Sequence, residues 1–275
     1  MFDLILALVV ILILFISSLI DIKTREVPDE LSIGLIAVAV LFKLLYALSA
    51  KDWSIILSSL TGFAVFLGIS LVMYYTRQWG GGDAKLFMAI GIALPYFPRE
   101  ITFLNPHLSM NFLLIILVNV LIFGFIYGMG YIFYLYFKKK IKIYFKLNRS
   151  FLLVSVLFIV LSMFFRYELR ILLLLLSLII LVYPYLITLT KEVEKKILTY
   201  RINVNKLTEG DWIVDDIKYR KKLIYSKKSP GVTKEQISLL KKFKIKEVLV
   251  KEGIPFIPAI FLGVLFSLIF GSILF

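Results

Sequence analysis

Two aspartates stand at the ends of apolar runs, Asp21 closing the first and Asp83 opening the fourth. Charge at the edge of a membrane-length apolar run is expensive and needs a reason. If the helices carrying these residues pack side by side, two carboxylates face each other. Two like charges about 3 Å apart cannot both ionise, so such a pair shares one proton. The charged member takes a proton from water attacking a peptide carbonyl, and the protonated member donates to the carbonyl oxygen. That is aspartyl protease chemistry, and it requires no metal, no cofactor and no nucleophilic side chain. Taken singly, each aspartate reads instead as a helix-end residue at the interface.

The residues around Asp83 weigh toward chemistry. In Gly80-Gly81-Gly82-Asp83-Ala84-Lys85, three consecutive glycines let the backbone bend and approach another chain closely, so Gly80, Gly81 and Gly82 read as a hinge. Asp83 then falls at the N-terminus of the next helix, where unpaired N–H groups and the helix dipole attract a carboxylate. The apolar run that follows, Leu86–Phe97, covers roughly 18 Å at 1.5 Å per residue, against a hydrocarbon core of ~30 Å. Either residues beyond Pro98 extend it, or Asp83 sits below the membrane surface.

The elements that must position these aspartates are membrane helices. The chain has 275 residues, 60% hydrophobic and 18% charged, with mean hydropathy +0.93, whereas a soluble domain is about 45–50% apolar. Absence of cysteine excludes a disulfide scaffold and thiolate metal sites. The net charge of +14 points, in a membrane protein, to cytosolic loops and anionic lipid and not to nucleic acid. Apolar runs lie at Phe2–Ile20, Leu31–Leu48, Ile55–Tyr75, Leu86–Phe97, Phe112–Phe137, Phe151–Phe165, Ile171–Thr190 and Ile254–Phe275. The first begins with acidic Asp3 and lacks a small-residue cleavage site, so it reads as a retained span. The fold class expected is an α-helical polytopic membrane protein of about eight transmembrane helices.

Charge orients them. With the N-terminus outside, the short inner loops 21–30, 77–85 and 138–149 hold 10 Lys and Arg against 4 in the outer loops. Parity then puts Asp21 and Asp83 at the same, cytosolic, leaflet. The 191–252 segment is long and polar enough to be a small cytosolic α/β insert. Strand-like residues occur at Thr199–Asn205, Trp212–Ile217, Lys222–Tyr225 and Glu247–Val250, and a helix is predicted over Thr233–Phe243 from the Thr233/Gln236 capping-box spacing. The expected organisation is a transmembrane catalytic domain over 1–190, the insert over 191–252 and a last helix over 253–275.

Gly80–Asp83 fits Gly-x-Gly-Asp, followed by Ala84-Lys85, and Asp21 precedes Pro28-Asp29-x-Leu31 at a spacing of seven. With the topology, this pattern resembles the type IV prepilin peptidase family, in particular its archaeal preflagellin and prepilin peptidases. The resemblance covers residues 1–98 and, more loosely through Gly253-Ile254-Pro255-Phe256-Ile257-Pro258, residues 253–275. It implies catalytic aspartates at Asp21 and Asp83, motif glycines at Gly80 and Gly82, and a membrane aspartyl endopeptidase. The implied substrates are prepilins or preflagellins, whose short basic class III leader is cut at the cytosolic face.

Bacterial members usually add Cys-x-x-Cys motifs and N-methyltransferase activity; a cysteine-free chain implies no methylation. Presenilin and signal peptide peptidase carry Tyr-Asp and Pro-Ala-Leu where this chain has Ile20-Asp21 and Pro258-Ala259-Ile260. Eight runs exceed the six spans usual for archaeal members, so either the 149–190 region is an addition or its runs are wrongly split, and the expected count is six to eight. The rival reading is a proton-coupled transporter with Asp21 and Asp83 as relay carboxylates. Relay residues belong near the midplane of repeated folds, and here both lie at one leaflet with no repeat.

Glu26, Asp29 and Glu30 are candidate contacts for the basic leader, and Asp29 and Glu30 equally fit first-turn helix charge. Lys85 is a candidate support for the dyad or an interfacial anchor. Lys43 and Asn119, inside runs, read as a snorkelling lysine and an interhelical hydrogen-bonding residue, with a polar pathway as the alternative. His107, the one histidine, reads as an outer-loop surface residue.

Overall fold

A computed structural model describes residues 1–98, 100, 106, 108, 110–145, 148–220 and 222–274. Arg99 and His107 lie outside the described residues. In hydrocarbon every backbone group must be satisfied within its own segment, so the apolar runs fold as helices. These are α1 (Phe2–Thr24), α2 (Asp29–Ala50), α3 (Ser54–Tyr75), α4 (Gly81–Ala93), α5 (Phe112–Lys138), α6 (Arg149–Ser162), α7 (Tyr167–Val193) and α9 (Ile257–Ile269). Among the described residues, five helices are long and apolar enough to cross a membrane: α1, α2, α3, α5, and α7 with its π-helical continuation to Leu198. Helices α6 and α9 are apolar but shorter.

Helix α4 departs from both expected lengths of its run. It begins at Gly81, upstream of Leu86, and ends at Ala93; residues beyond Pro98 do not extend it. Its 13 residues reach about 20 Å, and Ala84, Leu86, Phe87, Ala89, Ile90, Gly91, Ile92 and Ala93 are all buried. A helix apolar all round and walled by others needs no amphipathic face.

The chain forms two compact units, residues 1–130 with 201–275, and residues 131–200. In the first unit, α1 buries a stripe of Asp3, Ala7, Val10, Leu14, Ser17 and Asp21, the three- and four-residue spacing of one helical face. Helices α3 and α4 meet backbone to backbone: a Cβ on Gly62 would stand 2.1 Å from the Gly91 carbonyl oxygen. Beside that contact Phe66 and Phe87 stack at 4.1 Å. Helix α9 is seated on α5, where a Cβ on Gly263 would meet Val120 at 2.7 Å. Asn119 donates to Ser267 Oγ (2.9 Å) and the Gly271 carbonyl (2.7 Å), the interhelical role expected of it.

Lys43 does not snorkel. Its ammonium is buried, 2.7 Å from Asp3 Oδ1 and 4.4 Å from the centroid of the Tyr96 ring. The antiparallel α1–α2 hairpin brings Asp3 to it, so a buried partner replaces the route to water.

Between α7 and α9 lie β1 (Thr199–Asn203), β2 (Trp212–Ile213), β3 (Ile217–Tyr219), β4 (Lys222–Tyr225), α8 (Lys234–Lys242) and β5 (Glu247–Lys251). One sheet has the order β1-β5-β2, with β2 antiparallel to β5 in the register Trp212↔Lys251 and Ile213↔Val250. Strands β3 and β4 form a separate antiparallel pair. The strand expected over Trp212–Ile217 is two strands, broken by a bend at Val214 and Asp215, after which Asp216 accepts the Lys227 N–H at 2.7 Å. Thr233 and Gln236 cap α8 reciprocally, at 3.3 and 3.0 Å. Val204, Ile213, Ile224, Tyr225, Leu240 and Val250 share a small core.

In the second unit α6 and α7 pack on each other. The Ser155 and Ser177 hydroxyls meet at 2.9 Å and the rings of Phe151 and Tyr183 at 5.8 Å.

Candidate active site

Asp21 lies in the last turn of α1, 4% exposed. Its Oδ2 accepts the Ile257 N–H at 3.1 Å. The first amide of α9 thus serves a carboxylate 236 positions upstream, which satisfies one of the donors that every helix start leaves open. Helix α1 then stops: Arg25 takes a left-handed backbone (φ 62°), and its N–H bonds the Asp21 carbonyl at 2.9 Å. The Arg25 guanidinium turns to the same segment, donating to the Gly253 carbonyl at 3.0 Å and standing 3.8 Å from the Glu252 carboxylate.

Asp83 is the third residue of α4 and half-buried. Its Oδ2 accepts the Gly80 N–H at 2.9 Å, one half of a capping arrangement that closes the helix start on itself. Helices α1 and α4, which carry the two aspartates, share one core, and Gly82, beside Asp83, packs on Val27 in the loop that follows Asp21's helix.

The glycines divide by what surrounds them. Gly82 packs against the α1–α2 loop, where an added Cβ would lie 2.8 Å from Val27 Cβ. Gly80 precedes the helix in extended backbone (φ −72°, ψ 167°) and faces Asp83 Oδ2. Gly81 opens α4 with only Tyr74 near, at 3.9 Å. The close approach read from the glycine run belongs to Gly82.

Lys85 reaches Asp29, not the aspartate pair: its Nζ is 2.6 Å from Asp29 Oδ1, an exposed ion pair between α4 and α2. Asp29 is therefore engaged. Glu26 accepts the Thr208 hydroxyl at 3.1 Å, and Glu30 is exposed in the first turn of α2.

Sequence reasoning missed the partners of Asp21. The signal was present in Gly253–Pro258, a Gly- and Pro-punctuated entry to the last helix, but the contact runs between chain segments too far apart for spacing to reveal. It also missed an aromatic wall. Trp79, 3% exposed and directly before the glycine run, meets Phe87 at 5.0 Å and Phe256 at 5.3 Å. The Phe256 ring lies over Gly124 of α5, which has no room for a Cβ.

Residues 8–132 match the model of the type IV leader peptidase family, and the match takes in Asp21, the glycine run and Asp83. This segment belongs to that family. Curated relatives of the chain include a preflagellin peptidase of Methanococcus maripaludis, 30% identical over 115 residues, 40% of this chain and 50% of the relative. A preflagellin peptidase of Methanocaldococcus jannaschii is 25% identical over 116 residues, 40% of this chain and 49% of its own length. One of Methanococcus voltae is 28% identical over 101 residues, 36% and 43%. The chain spans about half the length of the curated relatives it matches. No solved structure matches it. The match to the leader peptidase family over residues 8–132 and the five helices of span length among the described residues support a multi-pass membrane protein.

Proposed function

We propose that the protein is a membrane aspartyl endopeptidase that cuts the short basic leader from class III signal sequences of preflagellins or prepilins at the cytosolic face. The observation that carries this reading is the packing of Gly82, beside Asp83, on Val27 of the loop after Asp21's helix, within the segment that matches the leader peptidase family. One carboxylate of the pair takes the proton of attacking water while the other donates to the scissile carbonyl. Both residues stand at helix ends, Asp21 in the last turn of α1 and Asp83 in the first of α4, which suits a substrate entering from a leaflet and does not suit a relay across the midplane. With no cysteine in the chain, the activity is peptidase without methyl transfer.

In this reading α1–α7 and α9 are the eight apolar helices of the membrane part, the N-terminus is outside, and residues 191–252 are a cytosolic insert. Residues 1–190 and the last helix then hold the membrane and catalytic parts. Single cysteines placed at Lys51 and Lys85 would then react with an impermeant thiol reagent from opposite sides. The deciding experiment is incubation of the purified protein in detergent with a preflagellin or prepilin leader peptide. Cleavage between the basic leader and the apolar segment is expected. A wild-type protein that leaves every such peptide intact overturns the reading.

A further inference from the structure

The loops next to the two aspartates each contact the β2–β5 pair or the residues that directly follow it. On one side, Arg77, in the α3–α4 loop three residues before Gly80, places its guanidinium 5.5 Å from the centroid of Trp212 in β2 and donates to the carbonyl of Lys227, which lies between β4 and α8, outside that pair. On the other side, β5 ends at Lys251, and the next two residues, Glu252 and Gly253, hold Arg25 of the α1–α2 loop. The strand register closes the circuit, since Trp212 pairs directly with Lys251. The path from Asp83 to Asp21 thus runs through Arg77, Trp212, Lys251, Glu252–Gly253 and Arg25. A second tie runs beside it, because four residues beyond Gly253 the Ile257 amide is on Asp21.

Both arginines sit in left-handed backbone, φ 62° at Arg25 and 60° at Arg77, where glycine would be the easier residue. Their side chains are what the strands use. A cleft of about 300 Å³ lined by Thr76, Arg77, Trp212 and Lys251 lies at the Arg77 joint, so this joint is held by a few directional contacts and not by a continuous apolar core.

We propose that the β2–β5 pair is a brace that sets the separation of Asp21 and Asp83, with Arg77 and Arg25 as positioning residues. The inference rests on the peptidase reading for its effect on turnover, but the separation itself is measurable without it. A bond between two loops on different helices constrains their distance only if each loop is tied to the same rigid element, and a hydrogen-bonded strand pair is such an element. Loosening either tie lets the aspartate loops move apart while leaving substrate contacts elsewhere in place. The effect therefore falls on kcat and not on KM.

The test exploits the absence of native cysteine. In the full chain carrying Asp21→Cys and Asp83→Cys, the yield of cross-link with a short bis-thiosulfonate, on which each thiol displaces a sulfinate to form a disulfide, reports the separation without any need for activity. Adding Arg77→Gln is expected to lower that yield several-fold, and Arg77→Lys, which keeps a cation over Trp212, to restore most of it. In the otherwise wild-type enzyme, Arg77→Gln is expected to lower kcat about tenfold with KM within about twofold. A further variant, Arg77→Cys with Trp212→Cys, compares one preparation before and after the two introduced thiols are bridged by the same cleavable reagent, so folding losses cancel. Kcat is expected to rise on cross-linking and fall again on reduction. Cross-link yield between positions 21 and 83 that ignores Arg77→Gln, or a kcat that ignores the 77–212 cross-link, overturns the brace. Failure of the wild type to cleave any leader overturns the peptidase reading alone, and the 21–83 yield still decides the brace.

Discussion

The Ile257 N–H stands 3.1 Å from Asp21 Oδ2, so the end of α1 and the start of α9 are joined through the carboxylate on which the proposed chemistry turns. An asparagine at 21 keeps an oxygen for that amide but cannot share a proton with Asp83. Asp21→Asn and Asp83→Asn are each expected to lower cleavage of a leader peptide by about 10⁴-fold or more, because the two act as a unit. Both proteins are expected to accumulate in the membrane normally. Substantial residual turnover in either variant, measured in detergent against wild type, counts against the dyad.

The Gly62–Gly91 contact sets where α4, and with it Asp83, lies against α3. A Cβ on Gly91 would stand 2.4 Å from the Gly62 carbonyl oxygen, and backbone cannot yield as a flexible side chain can. Gly91→Ala is expected to destabilise by about 1–3 kcal/mol, the usual range for overpacking, and to reduce turnover. Gly34→Ala, with nothing within 4 Å of the added carbon, is the control and is expected to be neutral or slightly stabilising. Thermal unfolding in one detergent compares the three proteins.

Asp3 and Lys43 form an ion pair with side chains 6% and 2% exposed. Removing one member leaves the other charge buried and unpaired, so Lys43→Ala is expected to lose about 3–5 kcal/mol. Replacing both, Asp3→Leu with Lys43→Met, is expected to recover most of that loss. A double variant as unstable as the single one, by the same unfolding measurement, would show that the pair contributes more than mutual neutralisation.

In the acidic loop, Asp29 is engaged by Lys85 and Glu26 by Thr208, while Glu30 is exposed. Exposed ion pairs are worth about 0.2–1 kcal/mol each and are screened by salt. Glu26→Gln with Glu30→Gln is therefore expected to raise KM for a basic leader a few-fold at low salt and leave kcat nearly unchanged. The difference should vanish at about 0.5 M salt, where the screening length is only a few ångströms. A fall in kcat at saturating substrate would mean that these residues support geometry instead of binding the leader.

Burial, with the Glu26 charge nearby as a smaller contribution, pushes the Asp211 carboxyl above the usual aspartate range. Its folded-state proton affinity thus exceeds the unfolded one, so stability is greatest at acid pH and falls as pH rises through the raised value. Asp211→Asn mimics the protonated form and keeps an oxygen for the Thr208 N–H that Asp211 accepts at 2.8 Å. Its unfolding temperature is expected to rise modestly at neutral pH and to match wild type at acid pH. A lower unfolding temperature at neutral pH would contradict this sign.

The features legible in the sequence are those that depend on residues close together along the chain. Apolar runs become helices because a buried backbone has no other way to satisfy itself, and α1, α2 and α3 follow the runs read for them. Thr233 and Gln236, three apart, cap α8 as their spacing says. Asp83 beside its glycines falls in the first turn of α4, because such residues are tolerated at a helix start and not in its interior.

What only the tertiary structure decided is which distant groups meet. Asp21 finds the first α9 amide 236 positions away, Lys43 finds Asp3, and Lys85 finds Asp29 and not the dyad. No local pattern encodes these pairings. They follow from the order in which helices pack, and that order rests on steric fits such as Gly62 on Gly91 and Gly263 on Val120. The length of α4 is decided the same way. Its residues from Leu86 onward are apolar enough for a longer span, yet burial of Leu86, Phe87 and Ala89–Ala93 within the protein lets it stop at Ala93, since protein can surround what lipid would otherwise have to cover.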